Sequence, residues 1–186
     1  MTNNTIGFGD SQFTLAVYIG NQPDMPDYRL LNRLIPMRSG EIELIGKTCG
    51  NGWRKVFNVY AKLLYALDDK HFDLVNRDIT WQTYRDEHLL QKNSRTALIF
   101  SYPNLSDFMP SILVNRFHII CGRTYAKKLI NEGHLLAQLH WFDEEFAVDL
   151  QQKVIVCPYF DYRQLSNEKI NRLSVLLSHL VTQSIR

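Results

Sequence analysis

Cysteine is scarce in this chain, and long apolar segments are absent from it. The three cysteines among its 186 residues are Cys49, Cys121 and Cys157, and no two of them have the short spacing of a zinc knuckle or a redox pair. Such sparse use of cysteine is typical of a reducing compartment. No apolar run approaches the roughly 20 residues that span a bilayer, and the first residues lack the basic and apolar segments of a secretory signal. The sequence therefore predicts a cytoplasmic protein without a membrane partner.

An excess of charge of one sign is also missing. The chain has 21 Lys and Arg against 19 Asp and Glu, which leaves a formal net charge of +2. This balance is too small to indicate a nucleic-acid partner by itself, although it is compatible with a local basic face. The chain shows no repeat, no low-complexity stretch and no long linker, so its length predicts a single domain over residues 1–186.

Four short apolar runs have the composition of strands that are covered on both faces. They are apolar nearly throughout rather than alternating, which is typical of a parallel sheet. The runs are Thr14–Gly20, Thr96–Tyr102, Phe117–Gly122 and Lys153–Tyr159.

Segments with helical periodicity lie between these runs. The clearest are Trp53–Leu67, which has one apolar stripe, and the segment that starts after Ser166, a good N-cap residue. Alternating strands and helices predict a three-layer α/β domain with a four-stranded, mainly parallel sheet flanked by helices. Weaker helices are predicted at Asp27–Leu34, Trp81–Gln91, Phe108–Asn115, Arg123–Asn131 and Asp143–Leu150.

The carboxyl ends of the four runs carry a distinctive set of residues. Ligands of open parallel sheets bind in the crevice outside these ends. Aromatic rings beside arginines suit stacking on a base or another flat ligand. Turn formation alone also favours glycine, proline and asparagine at strand ends, but it does not require tyrosine or arginine. The candidate ligand-binding residues are Gly20, Asn21, Gln22, Pro23, Tyr102, Asn104, Gly122, Arg123, Cys157, Pro158, Tyr159 and Arg163.

Two familiar kinds of site lack the required spacing. The sequence Gly46–Thr48 suggests a phosphate loop, but that motif needs a glycine at position 41, which is Glu41. His134 and His140 stand near the acidic run Asp143–Glu145, but a helix start in solvent explains that run more simply than a metal site does. The sequence therefore predicts no metal and no cofactor.

Groups for proton transfer or nucleophilic attack are not assigned by the sequence. Cys121 and Cys157 end two predicted strands and would be neighbours if those strands are adjacent, but a cysteine in an apolar strand is usually a small hydrophobic residue. A carboxylate near the same edge would act as a general base or cap a turn. The candidates are Asp24, Asp27, Asp107 and Asp161.

The order of these motifs resembles the uracil-DNA glycosylase superfamily. "YIGNQP" at the first strand end is similar to its motif for activating water, and "IICGRTYAKKL" is similar to its middle element. "VIVCPY" then stands where the family has a His-Pro-Ser-like motif beside the flipped base. The water-activating position is Asn21 or Gln22 here, and Cys157 replaces the histidine.

This resemblance implies a glycosylase-like domain that binds a nucleobase, a nucleotide or nucleic acid. The departures at both motifs leave base excision unassigned, because an amide cannot take up a proton as a carboxylate does. The alternative is a non-enzymatic interaction protein that keeps the fold without an active site. A homodimer through an aromatic face near Trp81 and Trp141 is one form of that alternative.

Overall fold

Residues 5–105 and 116–183 are described by the computed structural model of the chain. Within them, eight strands form one sheet, and six helices accompany it. The strands are β1 (Gly7–Gly9), β2 (Leu15–Tyr18), β3 (Leu34–Ile35), β4 (Thr96–Ile99), β5 (Phe117–Cys121), β6 (His140–Trp141), β7 (Ala147–Asp149) and β8 (Val154–Cys157). The helices are α1 (Pro26–Arg29), α2 (Glu41–Thr48), α3 (Asn51–Ala66), α4 (Trp81–Glu87), α5 (Arg123–Asn131) and α6 (Asn167–Gln183).

The four predicted strands form the centre of a larger mixed sheet. Its order is β3-β1-β4-β2-β5-β8-β7-β6, and the four central strands pair in parallel. The α/β prediction is confirmed, but four strands is too few. The additional strands contain only two or three residues each, so they show no periodicity along the sequence. Three of the sheet's seven pairings are antiparallel, those of β1 with β4, β7 with β8 and β6 with β7.

The central strands bury both faces, as the apolar runs predict. In β2, Leu15 and Val17 belong to the larger core under α3 and α6, whereas Ala16 and Tyr18 belong to the smaller core under α5. Successive side chains of a strand point to opposite faces, so one short run contributes to two cores. This arrangement leaves the strand ends as the accessible part of the central sheet.

A buried histidine–tyrosine pair joins two of the central strands. The Nδ1 atom of His118 lies 2.9 Å from the hydroxyl of Tyr18, and His118 is only 4% exposed. Burial, together with the positive charge of Arg116, lowers the pKa of His118 from 6.5 to about 3. His118 is therefore neutral in the folded protein at neutral pH.

We expect this histidine to make folding stability depend on pH. Below pH 6.5 the unfolded chain binds a proton at this position and the folded chain does not, so stability falls as the pH decreases. His118 should account for a loss of about 2 kcal/mol between pH 6.5 and pH 5. Urea unfolding of the wild type and of His118→Asn, which keeps an acceptor for Tyr18 but does not titrate, measures this difference. Equal losses in the two proteins would contradict the assignment.

Three predicted helices agree well with the structure. Helix α3 covers the segment predicted over Trp53–Leu67 except its last residue, α6 follows Ser166, and α5 has the predicted bounds Arg123–Asn131. Helix α4 begins at Trp81 as expected but ends at Glu87. The helix predicted at Phe108–Asn115 lies outside the described residues.

The helix predicted at Asp143–Leu150 is wrong, because this segment forms the turn between β6 and β7 and then β7 itself. The Oδ1 atom of Asp143 accepts hydrogen bonds from the backbone N–H groups of Glu145 and Phe146, which stabilises a turn instead of a helix start. Strand β7 then pairs with β8 in the sheet. The acidic run is therefore a hairpin turn.

The region between β2 and α3 also differs from the prediction. The helix predicted over Asp27–Leu34 ends at Arg29, and Leu34 belongs to β3. Helix α2 was not predicted, and Gly46–Thr48 forms its last turn. A phosphate loop precedes a helix, so this position agrees with the rejection of that motif.

None of the helices within the described ranges is both long enough and apolar enough to cross a membrane.

Candidate functional site

A cleft of about 1110 Å³ opens at the carboxyl ends of the central strands. Its wall contains four aromatic rings, several amides and hydroxyls, and charges of both signs. The lining residues are Ile6, Gly20, Asn21, Asn32, Phe100, Ser101, Tyr102, Cys121, Gly122, Arg123, Thr124, Tyr125, Lys128, Glu144, Glu145, Pro158, Tyr159 and Gln164. A cleft of this size is large enough to hold a small ligand.

Two glycines allow aromatic rings to pack closely against the strand ends. A Cβ atom on Gly20 would lie only 2.9 Å from Cδ2 of Tyr125, so any larger residue would displace that ring. Gly122 has a φ of +105°, which lets α5 begin directly after β5. A Cβ atom at Gly122 would also lie within 4.0 Å of Tyr159.

A hydrogen bond connects two loops on either side of β5. The hydroxyl of Tyr159, which follows β8, donates to Oδ1 of Asn21, which follows β2, at 3.2 Å. Burial raises the pKa of Tyr159, and burial raises the pKa of Tyr125 to about 12. Both phenols are therefore protonated at neutral pH, which leaves each hydroxyl able to donate a hydrogen bond.

The third tyrosine of the cleft is the most exposed. Tyr102 is 42% exposed, and one face of its ring stacks on His134 with ring centroids 3.8 Å apart and planes 10° apart. This contact orients the ring at the mouth of the cleft and gives His134 a stacking role.

The charges of the cleft are paired with one another or with nearby residues. Arg123 makes a 3.0 Å ion pair with Glu144, and its guanidinium lies 5.9 Å from the ring centroid of Trp141. Lys169 makes a 2.6 Å ion pair with Glu145. Both carboxylates therefore neutralise nearby cations.

Seven of the twelve residues proposed from the sequence line this cleft. They are Gly20, Asn21, Tyr102, Gly122, Arg123, Pro158 and Tyr159. The other five, which do not line it, are Gln22, Pro23, Asn104, Cys157 and Arg163. Pro23 and Cys157 are buried, while Gln22 and Arg163 are exposed outside the lining. Successive residues at the end of a strand point in different directions. Only some of residues 20–23 therefore face the cleft.

The two neighbouring cysteines belong to the core. Cys121 and Cys157 are register partners in β5 and β8, and both are buried. Burial raises the pKa of Cys121 to about 12 and raises that of Cys157 as well. The Sγ atom of Cys121 accepts a hydrogen bond from the backbone N–H of Phe160 at 3.2 Å. Thiols protonated in this way are not nucleophiles.

Two of the carboxylates proposed as general bases are engaged in ion pairs instead. Asp161 makes a 2.8 Å ion pair with Lys55, and Asp24 makes a 2.9 Å ion pair with Arg29. Asp107 lies outside the described residues. No group of three or more metal-ligating side chains occurs in the described part of the chain.

Several lining residues were missed by sequence reasoning. Tyr125 had an available signal, because it follows the glycine at the start of α5 within the same turn as Arg123. Asn32 and Glu144 had no such signal in the sequence. They reach the cleft only because the tertiary fold brings the segment before β3 and the β6–β7 turn to it.

Comparison with known proteins identifies a family. Residues 6–178 match a family of unknown function, DUF6942. The chain belongs to this family. Neither the curated proteins nor the solved structures include a match to this DUF6942 chain, and no comparison connects it with the uracil-DNA glycosylase superfamily. The cleft lies within the matched residues, since its lining extends from Ile6 to Gln164.

Proposed function

We propose that this DUF6942 protein binds a nucleobase, a nucleotide or nucleic acid in the cleft at the carboxyl edge of its sheet. The observation that carries the proposal is the convergence of Tyr102, Tyr125 and Tyr159 around one cleft with the Asn21 amide. Aromatic rings stack on bases of any identity, and amides form hydrogen bonds with base edges.

Basic residues of α5 supply positions for phosphates. Arg123 and Lys128 line the cleft, and both also line an adjoining groove of about 550 Å³ together with Lys127. Lys127 and Lys128 are exposed, so a phosphate would reach them without displacing buried groups, and at Lys128 it would compete with the 4.0 Å contact to Glu132. A chain of nucleotides that follows this groove would keep its backbone on α5 while one base enters the cleft.

The resemblance to the uracil-DNA glycosylase superfamily is part of this proposal. Its first and last motifs follow β2 and β8, and residues of both, Asn21 and Tyr159, border the same cleft and share a hydrogen bond. Asn21 and Gln22 do not take up protons, and Cys157 is buried with a raised pKa. We therefore propose binding of the base without assigning an excision step.

A salt series tests the proposal directly. We expect the affinity for a single-stranded oligonucleotide to fall steeply as the salt concentration rises, because lysine–phosphate contacts release counterions. The double change Lys127→Glu and Lys128→Glu should reduce the slope of log K against log salt by about 1.4, or roughly 0.7 for each lost contact. Fluorescence anisotropy with a labelled octanucleotide measures both quantities.

The control has the same change of charge away from the cleft. Lys70→Glu with Lys92→Glu alters two exposed lysines on other surfaces and should leave the slope unchanged. Absence of binding by the wild type at low salt would overturn the nucleic-acid part of the proposal. Release of a free base from a panel of damaged-base duplexes would show that excision accompanies binding.

A non-enzymatic interaction protein is the second candidate function. Trp81 and Trp141, the predicted contact residues, are half-buried against Arg85 and Arg123 respectively. Exposed apolar side chains occur instead around the β6–β7 hairpin, where Phe142 is 48% exposed. Leu136 and Leu150 are exposed there as well. Sizing of the purified protein tests this candidate, and a monomer at all concentrations would argue against self-association.

A further inference from the structure

Strand β6 leaves one edge of the sheet open. It is the last strand in the sheet order, and among the residues that the structure describes it pairs only with β7. The N–H of Phe142 donates to the carbonyl oxygen of Phe146, and the N–H of Gln138 donates to a side chain at the end of β7. Backbone groups of successive residues point to opposite sides of a strand, so those of Leu139 and Trp141 face the open side. These N–H and C=O groups are available to a further strand.

A partly apolar groove of about 420 Å³ lies beside this edge, between the β6–β7 hairpin and α6. Its apolar lining residues are Phe142, Val148, Leu150, Leu176 and Leu180, and residues of β6 itself complete it on the outer side. Alternate side chains of a strand added to β6 would therefore point towards this groove. Open backbone groups beside a groove for alternate side chains are the two parts of a site for strand addition.

Exposed apolar side chains surround the groove. Phe142 and Leu150 line it, while Leu136 and Val175 lie within two residues of its lining. Each of these residues is at least 48% exposed. Together they expose a few hundred Å², which is the size of the largest apolar patch of a typical monomer and often marks an interface.

Charges at the tip of the hairpin are balanced within the chain. Each of the three acidic residues between β6 and β7 makes an ion pair with a basic residue of its own chain. The pairs are Asp143 with Arg172, Glu144 with Arg123, and Glu145 with Lys169. The hairpin therefore has no excess of one sign to attract nucleic acid or a charged peptide, and two identical copies would not repel each other.

This surface is also complementary to itself. A two-fold axis brings the same patch of two copies together, so the patch must contain both parts of each contact. We propose that two copies of this chain associate about a two-fold axis at His140 by antiparallel pairing of their β6 edges. Leu139 of each copy then exchanges backbone hydrogen bonds with Trp141 of the other, which uses the open groups of both. Phe142 of each copy lies opposite Gln138 of the other, at the end of its groove.

The two eight-stranded sheets form one continuous sheet in this dimer. The inference names the surface for the self-association that the second candidate function includes. It does not depend on a nucleotide in the cleft, so it stands or falls separately from the proposed ligand.

A concentration series tests the dimer and the role of the exposed ring. Gel filtration with light scattering gives the dimer dissociation constant of the wild type and of Phe142→Lys. We expect Phe142→Lys to weaken the dimer about a hundredfold, or roughly tenfold for each of the two copies of the change. Leu44→Lys is the control, because it makes the same kind of change at an equally exposed side chain of α2 and should dimerise as the wild type does. Urea unfolding establishes that both variants keep the fold.

A cysteine at the two-fold axis tests the register. The two copies of residue 140 form a non-hydrogen-bonded pair with Cα atoms about 4.5 Å apart, a distance that a disulfide spans. His140→Cys should therefore give a covalent dimer under mild oxidation. Leu150→Cys is exposed on the same patch but follows the next strand, so its two copies lie about 14 Å apart or more and should not cross-link. The wild type, which keeps the half-buried Cys49, gives the background.

Each measurement has an outcome that would overturn the inference. A wild type that remains monomeric at its highest soluble concentration would exclude the dimer, whatever the cleft binds. A dimer that is as tight in Phe142→Lys as in Leu44→Lys would show that the interface lies elsewhere. Cross-linking of Leu150→Cys as readily as His140→Cys would exclude the antiparallel pairing of β6.

Discussion

Gly9→Ala is expected to destabilise the protein by about 3 kcal/mol or more. Gly9 ends β1 next to β4, where a Cβ atom would lie 2.3 Å from the carbonyl oxygen of Thr96 and 2.6 Å from the Cα atom of Ala97. These neighbours are backbone atoms of a central strand, so neither can move aside as a flexible side chain would. The φ of Gly9 is +133°, a conformation that alanine adopts only with strain.

A glycine without these constraints provides the comparison. A Cβ atom on Gly52, in the first turn of α3, would meet nothing within 4 Å, and Gly52 has no positive φ. Gly52→Ala should be neutral or stabilise the protein by up to about 1 kcal/mol, because alanine favours helix and restricts the unfolded chain. Urea unfolding of both variants gives the two free energies. A Gly9→Ala protein as stable as Gly52→Ala would show that β1 does not pack against β4 in this way.

Asp149→Ala is expected to cost about 3 kcal/mol of folding free energy. Asp149 is only 4% exposed at the end of β7, and its carboxylate accepts three backbone hydrogen bonds. One oxygen accepts from Gln151 and Gln152 at 2.9 and 3.0 Å, and the other accepts from Gln138 at 2.7 Å. Alanine would leave these N–H groups without their partner and loosen the connection from β7 to β8.

Asp149→Asn tests the contributions of the two carboxylate oxygens separately. An amide keeps one acceptor for Gln151 and Gln152 but places a donor against the N–H of Gln138, so we expect a loss of about 1–2 kcal/mol. Urea unfolding of the wild type and both variants measures the series. A cost for Asp149→Ala no larger than that for Asp149→Asn would contradict the network of three bonds.

Local composition explains which elements were predictable. The runs that became β2, β4, β5 and β8 are apolar because each strand faces two cores, and this burial is visible in the sequence itself. Helix α5 was equally visible, between Gly122 and Gly133. The β6–β7 hairpin was mistaken for a helix because acidic residues suit both a helix start and a turn, and only the pairing with β8 distinguishes them.

The candidate site was predictable in location but not in composition. The rule that ligands bind at the carboxyl ends of parallel strands places it at the edge where Asn21, Gly122 and Tyr159 stand. The rule does not say which residue of each loop faces inwards. Gln22 and Arg163 lie outside the lining for this reason, whereas Asn32 enters it from a different part of the chain.

The sequence by itself determined the four central strands, their flanking helices and the edge that holds the cleft. These features follow from apolar periodicity, which acts over a few neighbouring residues. Only the tertiary structure decided the added strands, the pairing of the charges and the hydrogen bond between Asn21 and Tyr159. Each of these depends on a partner distant in the chain: the hydroxyl that donates to Asn21 belongs to a residue 138 positions away. The local sequence pattern does not indicate such a contact, because the contact forms only when the sheet brings the two loops together.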